Sequence, residues 1–86
     1  MIKVGFSPVF AKTIRDLPGA LQNEVYDKVE MLKNRTNHKS LKVHKLHGVL
    51  KGQLSFSVNY KYRIIFEYLD KNTVFLHDIG THDLYK

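Results

Sequence analysis

The side chains best suited to proton and phosphate chemistry gather in one stretch of the 86-residue sequence. Residues 37 to 63 hold six Lys or Arg (Lys39, Lys42, Lys45, Lys51, Lys61 and Arg63), three of the five histidines (His38, His44 and His47) and no acid. An imidazole titrates near neutral pH, so it can give or take a proton under ordinary conditions. An arginine fork holds a phosphate in two-point contact, and ammonium groups stabilise anionic charge. A focused positive field also draws polyanions toward it. A solvated basic face has the same composition, and charge alone leaves both readings open. His44-x-x-His47 has the look of a metal pair but lacks a third ligand at useful spacing, so it is read as unrelated to metal. On composition alone His82 is a surface histidine, and His77, alternating with Phe75 and Ile79, is structural.

The elements that must position these groups follow from periodicity. Ile2 to Phe6 is a short apolar run that suits a strand. Ser7-Pro8 supplies a helix start, a capping hydroxyl followed by the residue tolerated at the first helical position. Phe10, Ile14 and Leu17 continue at helical spacing, Leu17-Pro18-Gly19 interrupts, and Leu21, Val25, Val29 and Leu32 resume it. This predicts helices over about 8–17 and 19–35, with apolar stripes that form core. Residues 37 to 50 show no clean period and read as a basic loop with at most one short strand. From Gly52 the period becomes two: Leu54, Phe56 and Val58 alternate with Ser55, Ser57 and Asn59, as in a strand with one buried face. Asn59 to Lys61 is a turn, Tyr62 to Leu69 a second strand, Asp70-Lys71-Asn72 a turn, and Thr73 to Ile79 a third strand. Short turns predict an antiparallel meander. The sum is one α+β domain over 1–86, two helices packed on a small antiparallel sheet in the order β-α-α-β-β-β. Arg63 then shares a strand face with Lys61, Ile65, Glu67 and Leu69. A salt bridge to Glu67 is therefore the rival to a phosphate-binding role.

Composition narrows the class further. The chain holds no cysteine, which removes disulfides, thiolate zinc sites and cysteine nucleophiles. No apolar run approaches the roughly 20 residues of a membrane span, and no secretory h-region precedes the first helix. A cytoplasmic protein with no membrane association is the expectation. The net charge of +6 is local: residues 1 to 36 sum to +2 and residues 64 to 86 to −2, so the excess lies in the middle.

Three stretches carry a family resemblance: His47-Gly48 with Lys51-Gly52, Tyr62-Arg63-Ile64-Ile65-Phe66, and Asp78-Ile79-Gly80-Thr81-His82-Asp83-Leu84-Tyr85. With the element order, they resemble the RelE/ParE toxin superfamily, and in their ending the YafQ-like messenger RNA interferases of type II toxin–antitoxin systems. The resemblance implies a RelE-like microbial ribonuclease fold. It also implies a ribosome-dependent endoribonuclease that needs no metal or other cofactor, and a cognate antitoxin as partner beside messenger RNA and the ribosome. His82 matches the family's terminal acid–base histidine. Tyr85 matches its aromatic, three residues on where the YafQ-like pattern has four. Arg63 matches the strand arginine that stabilises the transition state. His47 and Lys45 are the remaining catalytic candidates, and Lys42, Lys51, Lys61 and Tyr85 the candidates for substrate contact. The same resemblance admits a gyrase-inhibiting toxin of the ParE type, or a non-catalytic member; the His82 ending favours the nuclease. In all cases an acidic or amphipathic antitoxin segment is expected over the basic face.

Overall fold

The computed structural model describes residues 1–81. The chain runs β1 (Lys3–Phe6), α1 (Pro8–Arg15), α2 (Gly19–Leu32), β2 (His44–Lys45), β3 (Leu54–Ser57), β4 (Tyr62–Asp70) and β5 (Thr73–Thr81). Short 3-10 turns lie at Arg35–Asn37 and Gly48–Leu50. The strands form one sheet in the order β1-β5-β4-β3-β2. The meander β3-β4-β5 is antiparallel, as its short turns require. The sheet as a whole is mixed, because β1 pairs with β5 in parallel, Lys3 opposite Thr73 through Phe6 opposite Leu76. Parallel pairing needs a long connection, and here both helices and most of the meander separate the two strands.

Both helices start and stop for local reasons. The Ser7 hydroxyl oxygen accepts from the Phe10 amide at 2.9 Å and donates to the His77 carbonyl at 2.7 Å, tying the cap to β5. Ahead of Pro18 the last turn of α1 tightens, with the Leu17 amide donating to the Ile14 carbonyl, and the helix ends at Arg15 rather than near 17. α2 stops at Leu32, short of the expected 35. The Asn34 side chain accepts from the Thr36 amide at 3.0 Å and begins a separate 3-10 turn.

Phe10, Ile14, Val25 and Leu32 from the helices meet Phe56, Ile64, Phe66, Val74, Leu76 and Ile79 from the sheet in one core. Phe56 and Phe66 pack edge to face at 5.5 Å between centroids. Each such buried side chain contributes about 1.5–3 kcal/mol by leaving water. With Ile64 and Phe66 fixed inward, alternation sends Arg63, Ile65 and Glu67 to the opposite face, as the sequence predicts. Strand β3 departs from its one-sided pattern, because Ser55 is 0% exposed on that opposite face. Ile65, its partner across the ladder, is buried too, and so is Leu46, yet neither belongs to the main core. A second small buried patch therefore lies on the side away from the helices. Among the described residues no helix is long and apolar enough to cross a membrane.

Candidate active site

Arg63 is the second residue of β4, in a row across the sheet with Ser57 on β3 and Gly80 on β5. The start of the strand, rather than its middle, puts the guanidinium beside the β3–β4 turn. Its Nη1 donates to the carbonyl oxygens of Asn59 (2.9 Å), Tyr60 (3.2 Å) and Tyr62 (3.2 Å). Among the described residues Nη2 and Nε make no hydrogen bond, so donors of the fork remain for a ligand. The rival salt bridge to Glu67 is absent: the Glu67 carboxylate accepts from His77 Nε2 at 2.8 Å instead. This exchange follows from a β-bulge. The register steps from Ile65 opposite Asp78 to Phe66 opposite Leu76, and the unpaired His77 swings beside Phe75, 5.1 Å between ring centroids, and onto Glu67. His77 is structural, as its sequence context suggests, and its partner choice leaves Arg63 unclaimed by that acid.

The loop cations are exposed: Lys42, Lys45, His47, Lys51 and Lys61 all face water. Strand pairing sorts the first of them. His44 lies in the row of Ser55, Ile65 and Asp78, on the side of the sheet that carries Arg63. Lys45 lies in the row of Leu54 and Phe66, the other side. Alternation thus gives His44, not Lys45, the place on Arg63's side. His47 precedes the 3-10 turn without capping it, and its imidazole is left to solvent or ligand. Gly48 (φ 69°) and Gly52 (φ 94°) bracket Lys51 with left-handed backbone that other residues adopt only with strain. Lys61 Nζ stands 5.7 Å from the Tyr62 ring centroid.

His82 and Tyr85 lie outside the described residues. Up to that point β5 brings the chain alongside Arg63: Gly80 is its partner, and Thr81 is opposite Tyr62.

Sequence reading missed two residues beside Arg63. A groove of about 530 Å³ is lined by Lys28 of α2, Lys42, Ser57, Asn59, Tyr60 and Arg63, with Leu41 and Val58 beneath. Lys28 sits on the polar side of α2, where a lysine carries no signal. Tyr60 could have been noticed, since an aromatic at a tight turn has no core to enter. A second groove, about 430 Å³, lies between α1, α2 and β1, and is apolar: Val4, Phe6, Phe10, Ile14, Val25 and Tyr26 line it, with Arg15 and Lys33 at its rim.

Comparison with known proteins identifies the class. The profile described as RelE-like toxin of type II toxin–antitoxin system HigB matches residues 9–82. The chain belongs to this family and is a RelE-like toxin of the type II kind, within the RelE/ParE superfamily. No curated protein matches its sequence. Solved structures agree on the fold. The RelE–RelB complex from Pyrococcus horikoshii aligns with a TM-score of 0.75 at 16% identity, covering 96% of this chain and 97% of that one. The DinJ–YafQ complex of E. coli aligns with a TM-score of 0.71 at 21% identity, covering 100% of each chain. The RelBE2 toxin–antitoxin complex of Mycobacterium tuberculosis aligns with a TM-score of 0.71 at 20% identity, covering 94% and 98%.

Proposed function

We propose that this toxin is an endoribonuclease that cuts messenger RNA on the ribosome without a metal, and that a cognate antitoxin holds it inactive. The observation that carries the reading is the Ser57–Arg63–Gly80 row: a guanidinium with donors to spare, next to the strand whose continuation bears His82. In the reaction a base takes the proton of a ribose 2′-OH. The 2′ oxygen bonds to the adjacent phosphorus while the bond from phosphorus to the 5′ oxygen breaks, and an acid protonates that oxygen. The upstream fragment keeps a 2′,3′-cyclic phosphate and the downstream fragment a 5′-OH. Arg63 stabilises the charge gathering on the phosphoryl oxygens. His82 serves as acid or base and His47 as its counterpart. Lys42, Lys45, Lys51 and Lys61 supply the field that captures RNA, and Tyr85 stacks on a base.

The antitoxin, as proposed, seats apolar side chains in the groove between the helices and lays its acids over the cationic loop. Exposed Phe6 and Tyr26, which line that groove, are the natural contacts. Neutralising the clustered cations both blocks the site and stabilises a small fold. Primer extension on translated messenger RNA tests the reading: the intact chain cuts, and His82→Ala or Arg63→Ala cuts little. Gyrase-linked DNA breaks without RNA cuts would replace it with the inhibitor reading.

A further inference from the structure

The groove at the β3–β4 turn has a feature the cleavage reaction does not use. Tyr60, at its rim, is 99% exposed, the most exposed large hydrophobic side chain among the described residues. The turn that holds it is braced from both sides. Asn59 Oδ1 accepts from the amides of Lys61 (2.8 Å) and Tyr62 (2.9 Å), and Arg63 grips three carbonyls of the same turn. Asn59 Nδ2 donates to Glu24 on α2 at 2.6 Å, which pins the turn to the helix and engages that carboxylate. An aromatic ring on a fixed turn is a pre-organised platform, since little backbone freedom is lost when a ligand lands on it.

Cations complete the groove. Lys28, Lys42 and Arg63 line it, and no carboxylate does among the described residues. Lys42 holds a left-handed backbone (φ 58°), a conformation that suits glycine or asparagine better than lysine. Its carbonyl is engaged by His44 Nδ1 at 2.8 Å, so the geometry is fixed by its neighbours.

From this juxtaposition we infer that the groove of Lys28, Lys42, Tyr60 and Arg63 binds a nucleotide of single-stranded RNA, the base stacked on Tyr60 and the flanking phosphates on Lys28 and Lys42. Stacking plus backbone cations is the recipe for single-strand recognition without sequence preference. The inference rests on the RNA-directed reading above and adds a subsite to it. In the nuclease the subsite holds the strand next to the cut and fixes its path over Arg63.

The chain contains no tryptophan, so Tyr60→Trp places a lone, selectively excitable tryptophan at the platform. The full-length variant is titrated with a ten-nucleotide single-stranded RNA carrying 2′-O-methyl groups, which removes the nucleophile and leaves binding alone. Saturable quenching of the tryptophan is expected. It should weaken several-fold on adding Lys28→Ala or Lys42→Gly, the latter keeping the left-handed backbone while removing the ammonium. In the otherwise intact chain Tyr60→Ala should weaken binding about 10-fold, measured by anisotropy of a labelled oligonucleotide. RNA binding with no quenching, or with no response to Tyr60→Ala, overturns the subsite and leaves the nuclease reading standing. Quenching by an acidic peptide but not by RNA makes the groove a protein-docking site and also overturns it. Quenching by RNA in a chain that cuts no messenger RNA upholds the subsite and removes the nuclease.

Discussion

The two grooves of this toxin are similar in size and opposite in character. The one between the helices and β1 is walled by Val4, Phe6, Phe10 and Val25. The one at the β3–β4 turn is walled by Lys28, Lys42, Arg63 and a bare tyrosine. Helix side chains turn inward at helical spacing, and where the two stripes fail to close over β1 they leave an apolar slot. At the β3–β4 turn α2 contributes Lys28, and polar ends of long side chains fill the space instead. A slot of the first kind suits a partner protein's apolar side chains and is little affected by salt. A slot of the second kind suits a polyanion and loses affinity as salt rises. On the proposed reading the antitoxin anchors its apolar side chains in the first groove, and RNA lies in the second.

Four substitutions or conditions can break that separation. The largest effect belongs to Arg63→Ala, which should lower the cleavage rate on the order of 10²–10³-fold, as loss of one transition-state donor does. Arg63→Lys should recover only part, since an ammonium lacks the fork. Single-turnover kinetics read both, and an unimpaired Arg63→Ala would reduce Arg63 to a brace for its turn. Next comes salt. With about four phosphate contacts, RNA affinity should drop roughly 50-fold between 50 and 200 mM salt, while antitoxin affinity drops less, because salt screens its acids but not its apolar anchors. Equal salt dependence would mean that both ligands use the basic groove. Tyr26→Ala should then cost the antitoxin about 2 kcal/mol, or roughly 30-fold, by calorimetry, with no matching loss of cleavage by the free chain. The smallest effect is Ser55→Ala. The Ser55 hydroxyl is buried with no hydrogen-bond partner among the described residues, so removing it should raise stability by about 1 kcal/mol in urea unfolding. A loss of stability would show that the hydroxyl has a partner.

How far the sequence foretold this arrangement differs by element. The helices and the meander were legible because each repeats a simple period: Phe10 and Ile14 at one face of α1, Ile64 and Phe66 at one face of β4. The parallel partnership of β1 with β5 was not, because pairing of strands distant in the chain leaves no local trace. The bulge at His77 was hidden for a related reason: the alternation of β5 looks regular until β4 sets its register. That bulge leaves His77 unpaired in the ladder, where it meets Glu67. Of the candidate site, the strand face of Arg63 was readable from period two, while its proposed role rests on the family resemblance. The preference for His44 over Lys45 on that face needed the β2–β3 register, and a two-residue strand is too short to announce itself. Tyr60 and Lys28 were missed because neither breaks a pattern; only the fold makes them neighbours of Arg63.

The central claim is attack by a ribose 2′-OH under the charge of Arg63, with no metal taking part. The direct test is the chemistry of the new RNA ends, made by the purified toxin on translating ribosomes with metal-dependent nucleases excluded by a zinc- and manganese-specific chelator at constant magnesium. The account predicts 2′,3′-cyclic phosphate upstream and 5′-OH downstream, formed far more slowly by Arg63→Ala. Ends bearing a 5′-phosphate, or cutting that stops when the chelator is added, would contradict it.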